Sequence, residues 1–453
     1  MAAQILAICI FVGMFLLIIL DKFERYYITL ASGALVLALV FGVCMHSMSA
    51  IWGTLNLPSI FTSGFWYDAS EEGNSGINWS TIFFIAGMMI MVEGLGKAGF
   101  FRWLCLTLAK LVRYRIVPLL VCFMVLSAVL SMFIDSITVV LFLATVTLEL
   151  AQTMKFNPIP MILSEVFCAN LGGAATMCGD PPNIIVGTSL GYTFFDFISN
   201  TGVAVAICFV LVLIYFVLCF RKRLLRDEKN SGAAVCPQPG TAITNRPAFL
   251  LSAGVFLLAV ILLATHAQTK LTVACIGVIV AALSLVVIGC TSGGKAVLEI
   301  IKGVDYKTLL FFIGLFVSVA GLKETGVLDV IARFITTVSG GNAAIIVVII
   351  LWISAVTSAF VDNIPFAATM IPVVRSIAAA SGIDMGVLAW ALSLGTDLGG
   401  NATPIGASAN VVGTSVAAKG GYPISWGVYC KYCVGATVLV IAVSMGYLFL
   451  RYL

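Results

Sequence analysis

The chain has 453 residues, of which 61% are hydrophobic and only 10% are charged, and its mean hydropathy is +1.14. A soluble domain carries about 25% charged residues, so this composition excludes a water-soluble globule. It predicts an integral, multi-pass protein of a plasma or inner membrane, in contact with lipid. The net charge of +4 is spread over many linkers, which gives nucleic-acid binding no electrostatic support.

Apolar segments recur along the whole chain and predict an all-α polytopic membrane protein. In the first half we expect spans at 4–20, 26–45 and 79–96, an amphipathic stretch at 100–114, a hairpin at 116–152, an interrupted helix at 157–190 and a last span at 200–220. In the second half we expect spans at 247–265, 271–290 and 305–322, a further stretch to about 338, a hairpin at 343–381, an interrupted helix at 384–416 and a last span at 425–450. The polar segment 221–246 then joins an N-terminal repeat, 1–220 with scaffold helices in 1–96, to a C-terminal repeat, 247–453, as a cytoplasmic linker.

The sequence matches itself when it is shifted by 227 residues, without a gap, from 78–183 to 305–410. Matched pairs include Asp135 with Asp362 and Asn183 with Asn410. An internal duplication of this length is typical of transporters. Because each half is expected to cross the membrane five times, the second copy would be inverted relative to the first.

Basic residues support this topology, because short cytoplasmic linkers carry the excess of Lys and Arg. The basic residues that fall on one predicted side are Lys22, Arg25, Lys97, Arg102, Lys110, Arg113, Arg115, Arg221, Lys222, Arg223, Arg226, Lys295 and Lys302. The segment 46–78 on the other side has no Lys or Arg but carries Asp68, Glu71 and Glu72. We therefore expect both termini outside the cytoplasm.

Two matched segments interrupt membrane helices with glycines and prolines, and they are 170–183 and 397–410. Such breaks free backbone groups that protein, water or a ligand must satisfy, and breaks in both halves indicate a binding site. A plain kink or packing notch is the alternative, but polar side chains accompany both breaks. The candidate substrate-binding residues are Asn170, Gly173, Asp180, Asn183, Asp397, Gly400, Asn401, Ser408 and Asn410.

Each hairpin carries one carboxylate in an apolar setting, Asp135 in the first and Asp362 in the second. An isolated buried carboxylate must be protonated, paired or bound to a cation, so these positions predict Na⁺ or H⁺ sites. Further candidate cation ligands are Ser136, Thr138, Asn363, Thr176 and Thr403. The alternative is that each aspartate only caps the helix that follows it.

Three other ionisable residues lack a matched partner or a defined role. Glu93 faces Ala320 in the shifted alignment, and Glu165 faces Leu392. Glu165 could carry a proton or only bind a neighbouring helix. Arg375 could face a substrate or extend to the outer interface.

Three strings carry a family resemblance: GGAATMCGDPPN at 172–183, VDNIPF at 361–366 and GGNATPIGASAN at 399–410. They resemble the ion transporter superfamily, within it the branch of arsenite/antimonite permeases and the melanosomal P protein. The resemblance implies a homodimer, with a scaffold domain and an elevator-type transport domain built from the hairpins and broken helices. In the related sodium/dicarboxylate branch the hairpin tips carry Ser-Asn-Thr, whereas this chain has aspartates at 135 and 362, which would repel a dianion unless they were protonated or held cations.

These features predict a secondary active transporter that needs no cofactor beyond a coupling ion, Na⁺ or H⁺. Its substrate would be a small inorganic ion or acid: arsenite moved outward against protons first, Na⁺/H⁺ exchange next, sodium-coupled carboxylate uptake third. Direct ATP drive would require a separate ATPase subunit. A channel with the same hairpins is the main alternative, and an enzyme is not expected because no nucleophile, His and acid cluster on these helices.

Overall fold

The computed structural model describes residues 1–20, 22–67, 76–230 and 237–453, and the described residues fold as a bundle of helices. The helices of the first half are α1 (Ala2–Leu20), α2 (Arg25–Leu35), α3 (Met48–Leu55), α4 (Ser63–Trp66), α5 (Trp79–Lys97), α6 (Phe100–Leu111), α7 (Ile116–Ser131), α8 (Ser136–Met154), α9 (Ile159–Gly173), α10 (Pro181–Leu190), α11 (Phe194–Phe197) and α12 (Val203–Asn230). Those of the second half are α13 (Arg246–Thr269), α14 (Val273–Ser292), α15 (Gly294–Gly303), α16 (Tyr306–Glu324), α17 (Val327–Val338), α18 (Ala343–Ser358), α19 (Asn363–Ser381), α20 (Met385–Gly399), α21 (Ser408–Lys419) and α22 (Trp426–Tyr452). A π-helical segment, Val36–Cys44, continues α2, and another, Ile198–Gly202, joins α11 to α12.

Ten helical segments among the described residues are long and apolar enough to cross a membrane. The multi-pass, all-α prediction is therefore confirmed. The hairpins are α7 with α8 and α18 with α19, and the broken helices are α9 with α10 and α20 with α21. The second hairpin begins at Ala343 and ends at Ser381, as predicted. The first begins at Ile116, as predicted, and ends at Met154, two residues beyond the predicted end.

The duplication seen in the sequence is repeated in the helix boundaries. After a shift of 227 residues, α5, α6, α7 and α8 begin and end where α16, α17, α18 and α19 do. The copies also run in opposite directions. Lys97, at the end of α5, lies 3.3 Å (Nζ to Oε2) from Glu299, which precedes the start of α16, so the end of one helix meets the beginning of its counterpart.

Contacts between linkers identify the two ends of the bundle. At one end Lys307 pairs with Glu24 at 2.7 Å. At the other end Gln4 donates to the carbonyl of Thr325 at 2.9 Å, and Arg451 donates to the carbonyl of Ser199. Both termini therefore share one end, and its assignment to the non-cytoplasmic side stays a prediction. The acidic residues Asp68, Glu71 and Glu72 lie outside the described residues.

Two sets of helices pack among themselves. In the first set α5 packs along α14 and α2 along α16, and in the second α7 packs on α9 and α18 on α20. Glycines allow the close crossings in both sets, as small residues do in membrane helices. A Cβ at Gly87 would lie 2.2 Å from the carbonyl oxygen of Gly277, and one at the matched Gly314 would lie 2.3 Å from the backbone of Thr29.

Two departures from the prediction concern linkers. Short helices, α3 and α4, form in the segment before α5. The helix α12 continues to Asn230, ten residues into the segment predicted as a linker. Residues 221–230 contain mostly Arg, Lys, Leu and Glu, which favour helix. The predicted span ends where the sequence becomes polar, whereas the helix continues through these residues.

The tight crossing of α5 and α14 predicts a large effect of one methyl group. We expect Gly87→Ala to lower the melting temperature of the purified protein, because overpacking of this kind costs about 1–3 kcal/mol. Gly254→Ala, on α13 with open space at its Cβ position, is the matched control and should leave stability unchanged or slightly higher. Equal melting temperatures for the two variants would contradict the crossing.

Candidate functional site

Asn183 and Asn410 satisfy the backbone at the two helix breaks. The Nδ2 of Asn183 donates to the carbonyls of Gly173 and Thr176, both at 3.1 Å. The Nδ2 of Asn410 donates to the matched carbonyls of Gly400 and Thr403, both at 2.8 Å. These carbonyls lie where α9 and α20 end, so they have lost their helical partners. Both asparagines are fully buried, and each makes a broken helix tolerable in an apolar setting.

The two breaks are fastened to the hairpins by a second matched pair of bonds. The hydroxyl of Thr176 donates to the carbonyl of Met132 at the first hairpin tip, and that of Thr403 donates to the carbonyl of Ala359 at the second. These threonines therefore use their protons to position the hairpins. Their role as cation ligands stays a prediction, for which only hydroxyl lone pairs would be available.

The aspartates at the hairpin tips cap the helices that follow them. Asp135 accepts from the backbone N–H and the hydroxyl of Thr138, both at 2.9 Å, and Asp362 accepts from the backbone N–H of Ile364 at 3.3 Å. Both aspartates therefore cap the helix that follows them, which is the alternative role predicted for them from the sequence. A cap leaves carboxylate lone pairs free, so it is compatible with binding a cation or proton.

Beyond their caps the two tip aspartates differ. Asp362 forms an ion pair of 2.6 Å with Arg25, from the start of α2, and accepts from the Oγ of Ser408 at 2.9 Å. Asp135 has no basic partner among the described residues. Arg25 is close to Asp362 only through the fold, since 337 positions separate them. The second site is therefore already occupied by a cationic side chain, whereas the first is not.

Asp180 connects the two hairpin tips. One of its oxygens accepts from the Oγ of Ser136 and the other from the Nδ2 of Asn363, both at 3.0 Å. Its side chain is buried, at 4% exposure, and its position in the second copy is Ala407. A single carboxylate from the first break thus holds matched residues of both hairpins, and ionised acceptors make stronger hydrogen bonds than neutral ones.

The two broken helices also bond directly to each other. The Nδ2 of Asn170 donates to the Oδ1 of Asn401 at 2.9 Å and to the Oδ1 of Asn410 at 2.8 Å. Asp397, which matches Asn170 in the other copy, is fully buried, and neither of its oxygens has a hydrogen-bond partner. The structure therefore brings Asn170, Asn401 and Asn410 together in a buried cluster.

A cavity of about 510 Å³ lies in front of the tips and is open at the end of the bundle that carries Lys22. Its polar and charged lining includes residues of both helix sets, namely Lys22, Glu24, Arg25, Asp135, Asp305, Lys307, Thr308, Asp362 and Ser408. Among the predicted site residues only Asp135, Asp362 and Ser408 reach it. Sequence reasoning missed Lys22, Arg25 and Lys307 as lining residues, and the one signal for the first two was their position just before a span.

The three residues without a defined role lie away from this cavity. Glu93 lies 3.9 Å from Lys97 near the surface, and Glu165 is fully buried and accepts from the Oγ1 of Thr147 at 2.5 Å. Arg375 lines a second cavity of about 330 Å³ and donates to the carbonyl of Ser189. Arg375 is thus partly buried near the opposite end of the bundle, where Lys323 also lines the second cavity.

Comparisons with known proteins agree with this architecture. A model of the CitMHS family, described as citrate transporters, matches residues 15–395. A protein of Mycobacterium bovis named as an uncharacterized transporter is 33% identical over 99% of both chains. The P protein of Mus musculus is 28% identical over 83% of this chain and 54% of its own length. The predicted resemblance to this superfamily is confirmed.

Two solved structures share the fold. The YdaH transporter of Alcanivorax borkumensis aligns over 81% of this chain and 84% of its own, with a TM-score of 0.55 and 16% identity. The MtrF protein of Neisseria gonorrhoeae, described among antimetabolite efflux pumps, aligns over 90% and 86%, with a TM-score of 0.55 and 11% identity. At these identities the likeness concerns the fold alone.

The bridge through Asp180 predicts a measurable coupling. An asparagine at 180 has only one acceptor oxygen, so Asp180→Asn should lose one of the two bonds and lower the melting temperature. Combined with Asn363→Ala, the loss should be less than additive by about 1 kcal/mol or more, because charged hydrogen bonds contribute about 1.5–3 kcal/mol. Thr437→Ala, a buried hydroxyl of α22 bonded within its own helix, is the control and should be additive with Asp180→Asn. Additive losses in both pairs would contradict the bridge.

Proposed function

Because the chain belongs to the CitMHS family of citrate transporters, we propose that it is a secondary active transporter that moves a small organic acid such as citrate with H⁺ or Na⁺. The chain itself is a multi-pass membrane transporter of that family. The substrate and the coupling ion are the proposed parts. They depend on the charges around the cavity.

The observation that supports an acid substrate is the ion pair between Arg25 and Asp362 at the cavity. From the sequence alone, the two tip aspartates would repel an anion. Arg25 offsets one of them, and the pair Lys307 with Glu24 is internally balanced. With Lys22 and a further acid, Asp305 at the start of α16, also on the wall, the cavity has both basic groups for carboxylates and acidic groups for a cation. A volume near 510 Å³ is in the range of small-molecule sites.

A second candidate is Na⁺/H⁺ exchange, and the observation that favours it is Asp135. This carboxylate lines the cavity and has no basic partner among the described residues, so a proton or Na⁺ could compete for it. Arsenite efflux against protons would use the same acidic groups. A channel would use the hairpins as a fixed filter.

The division into two helix sets suggests how transport would occur. We propose that the hairpins and broken helices move together against the scaffold of α2, α5, α14 and α16, which is an elevator mechanism. The bonds of Asp180 and Asn170 support a single moving unit, because they join parts of both copies. The homodimer implied by the family resemblance, with the scaffold at its interface, belongs to this proposal. A separate ATPase subunit stays a prediction from the sequence.

Uptake by reconstituted vesicles tests the function. We expect citrate to accumulate when an inward H⁺ or Na⁺ gradient is imposed and not when both ions are balanced. The panel should include succinate, arsenite and ²²Na⁺, because these separate acid uptake from the other candidates. Flux that only follows the gradient of the tested solute, with no coupled ion, would indicate a channel and reject the proposal.

The ion pair at the cavity predicts a rescue. Arg25→Gln should reduce driven uptake at least about tenfold, because it leaves the buried carboxylate of Asp362 unpaired, and breaking such pairs is costly. Adding Asp362→Asn removes that uncompensated charge and should restore part of the rate. Glu24→Gln, which breaks the exposed pair with Lys307, is the control and should have a small effect. A double variant no better than Arg25→Gln alone would show that Arg25 itself binds the substrate.

A further inference from the structure

Asp397 is a buried carboxylate of the site that takes part in none of the hydrogen bonds described above. It lies near the end of α20, it has no exposed surface, and both of its oxygens lack a hydrogen-bond partner. Two other buried side-chain atoms of the broken helices also lack partners, the Oδ1 of Asn170 and the Nδ2 of Asn401. These two asparagines bond to each other, and Asn401 follows Asp397 by four positions in the chain.

A bare ionised carboxylate in such a place is costly, because burial removes its hydration and nothing replaces it. The group must therefore be protonated or bound to a cation. The pseudo-symmetry distinguishes the two. Asn170, the counterpart of Asp397, donates through Nδ2 to the Oδ1 of Asn410. The symmetric bond would run from Asp397 to Asn183, and a carboxyl group can donate only when it carries a proton.

The position of Asn183 is consistent with that bond. Its Oδ1 accepts from the hydroxyl of Ser393, which lies one helical turn before Asp397 on α20. Asn183 therefore faces the same side of α20 as Asp397. An amide oxygen has two lone pairs, so it can accept from both Ser393 and a protonated Asp397.

We infer that Asp397 takes up and releases the coupling proton of this transporter, at its buried position on α20 one helical turn after Ser393. In each cycle the carboxylate accepts one proton from water on one side, and the O–H bond breaks to return that proton to water on the other. No other reactant is consumed. The inference rests on the proposed function and narrows its coupling ion to H⁺.

The surroundings of Asp397 are suited to a proton. Asp180, at the start of α10, acts on it electrostatically. Of the helices packed around α20, α18 contains no ionisable residue, α9 carries Glu165, α19 carries Arg375, and α22 carries Lys431 and Arg451. None of the ion pairs among the described residues includes Asp397. Asp180 bonds to Ser136 and Asn363, which are the neighbours of the tip aspartates Asp135 and Asp362.

The test uses Asp397→Asn, because an amide resembles a carboxyl that cannot lose its proton. In vesicles with citrate as the probe, one pH unit supports about tenfold accumulation for each coupled proton. We expect the unsubstituted protein to show accumulation driven by the pH gradient and Asp397→Asn to show none. The variant should keep citrate counterflow at equal pH, since exchange needs no net release of a proton. Glu165→Gln, which alters another fully buried acid, is the matched control and should keep the driven accumulation.

Several outcomes would overturn the inference. Accumulation driven by the pH gradient in Asp397→Asn would show that the proton binds elsewhere. Loss of counterflow in a variant that remains monodisperse would make Asp397 a substrate ligand. Accumulation that follows a Na⁺ gradient and not a pH gradient in the unsubstituted protein would make the ion Na⁺. Loss of driven accumulation in Glu165→Gln as well would make the effect a general one of removing buried acids.

A second measurement separates this inference from the proposed function. If the unsubstituted protein neither accumulates nor exchanges citrate, the proposed substrate is wrong, but Asp397 can still be tested by thermal denaturation. A proton held on Asp397 stabilises the folded protein only while it is bound, so the melting temperature should fall as the pH rises, and less steeply in Asp397→Asn. Parallel pH profiles for the two proteins would reject the proton site independently of transport.

Discussion

A membrane interior cannot hydrate a broken helix, and this constraint governs the centre of the protein. The freed carbonyls at the two breaks are satisfied by the amides of Asn183 and Asn410, with the same spacing in both copies. Without these bonds the glycine-rich segments would leave buried acceptors without donors. The breaks, in turn, place Asp180 and Asp397 at the middle of the bundle. The chemistry of the site therefore depends on two amide groups that stabilise the helix breaks.

The bonds around the breaks also define what can move. Threonine hydroxyls tie each break to its own hairpin, Asp180 ties both hairpin tips together, and Asn170 ties one break to the other. The unit is also bonded to the scaffold: Arg25 of α2 pairs with Asp362, and Asn78 and Thr81 at the start of α5 bond to the hydroxyl of Thr188 in α10. Under the proposed elevator mechanism these are bonds that sliding would have to exchange.

Much of the fold could be predicted because its signals are local and repeated. Hydrophobic length identified the spans, Gly and Pro identified the breaks, and the 227-residue register paired the copies. Arg25 could not be placed on Asp362, because that contact spans 337 positions and has no counterpart in the other copy. The register also directed attention to matched residues, Asp135 and Asp362, whereas Asp180 bridges the tips and has only Ala407 as its counterpart. Asp397 is fully buried, and its role as a substrate ligand stays a prediction.

The unmatched acids have a consequence for the history of the duplication. At the breaks each copy has one acid where the other is neutral: Asp180 opposite Ala407, and Asp397 opposite Asn170. A symmetric pair of identical repeats would carry each acid twice or not at all, so two copies of either half could not rebuild the present centre. The two halves are therefore complementary and not interchangeable. Their fusion into one chain ensures that they are present in equal number.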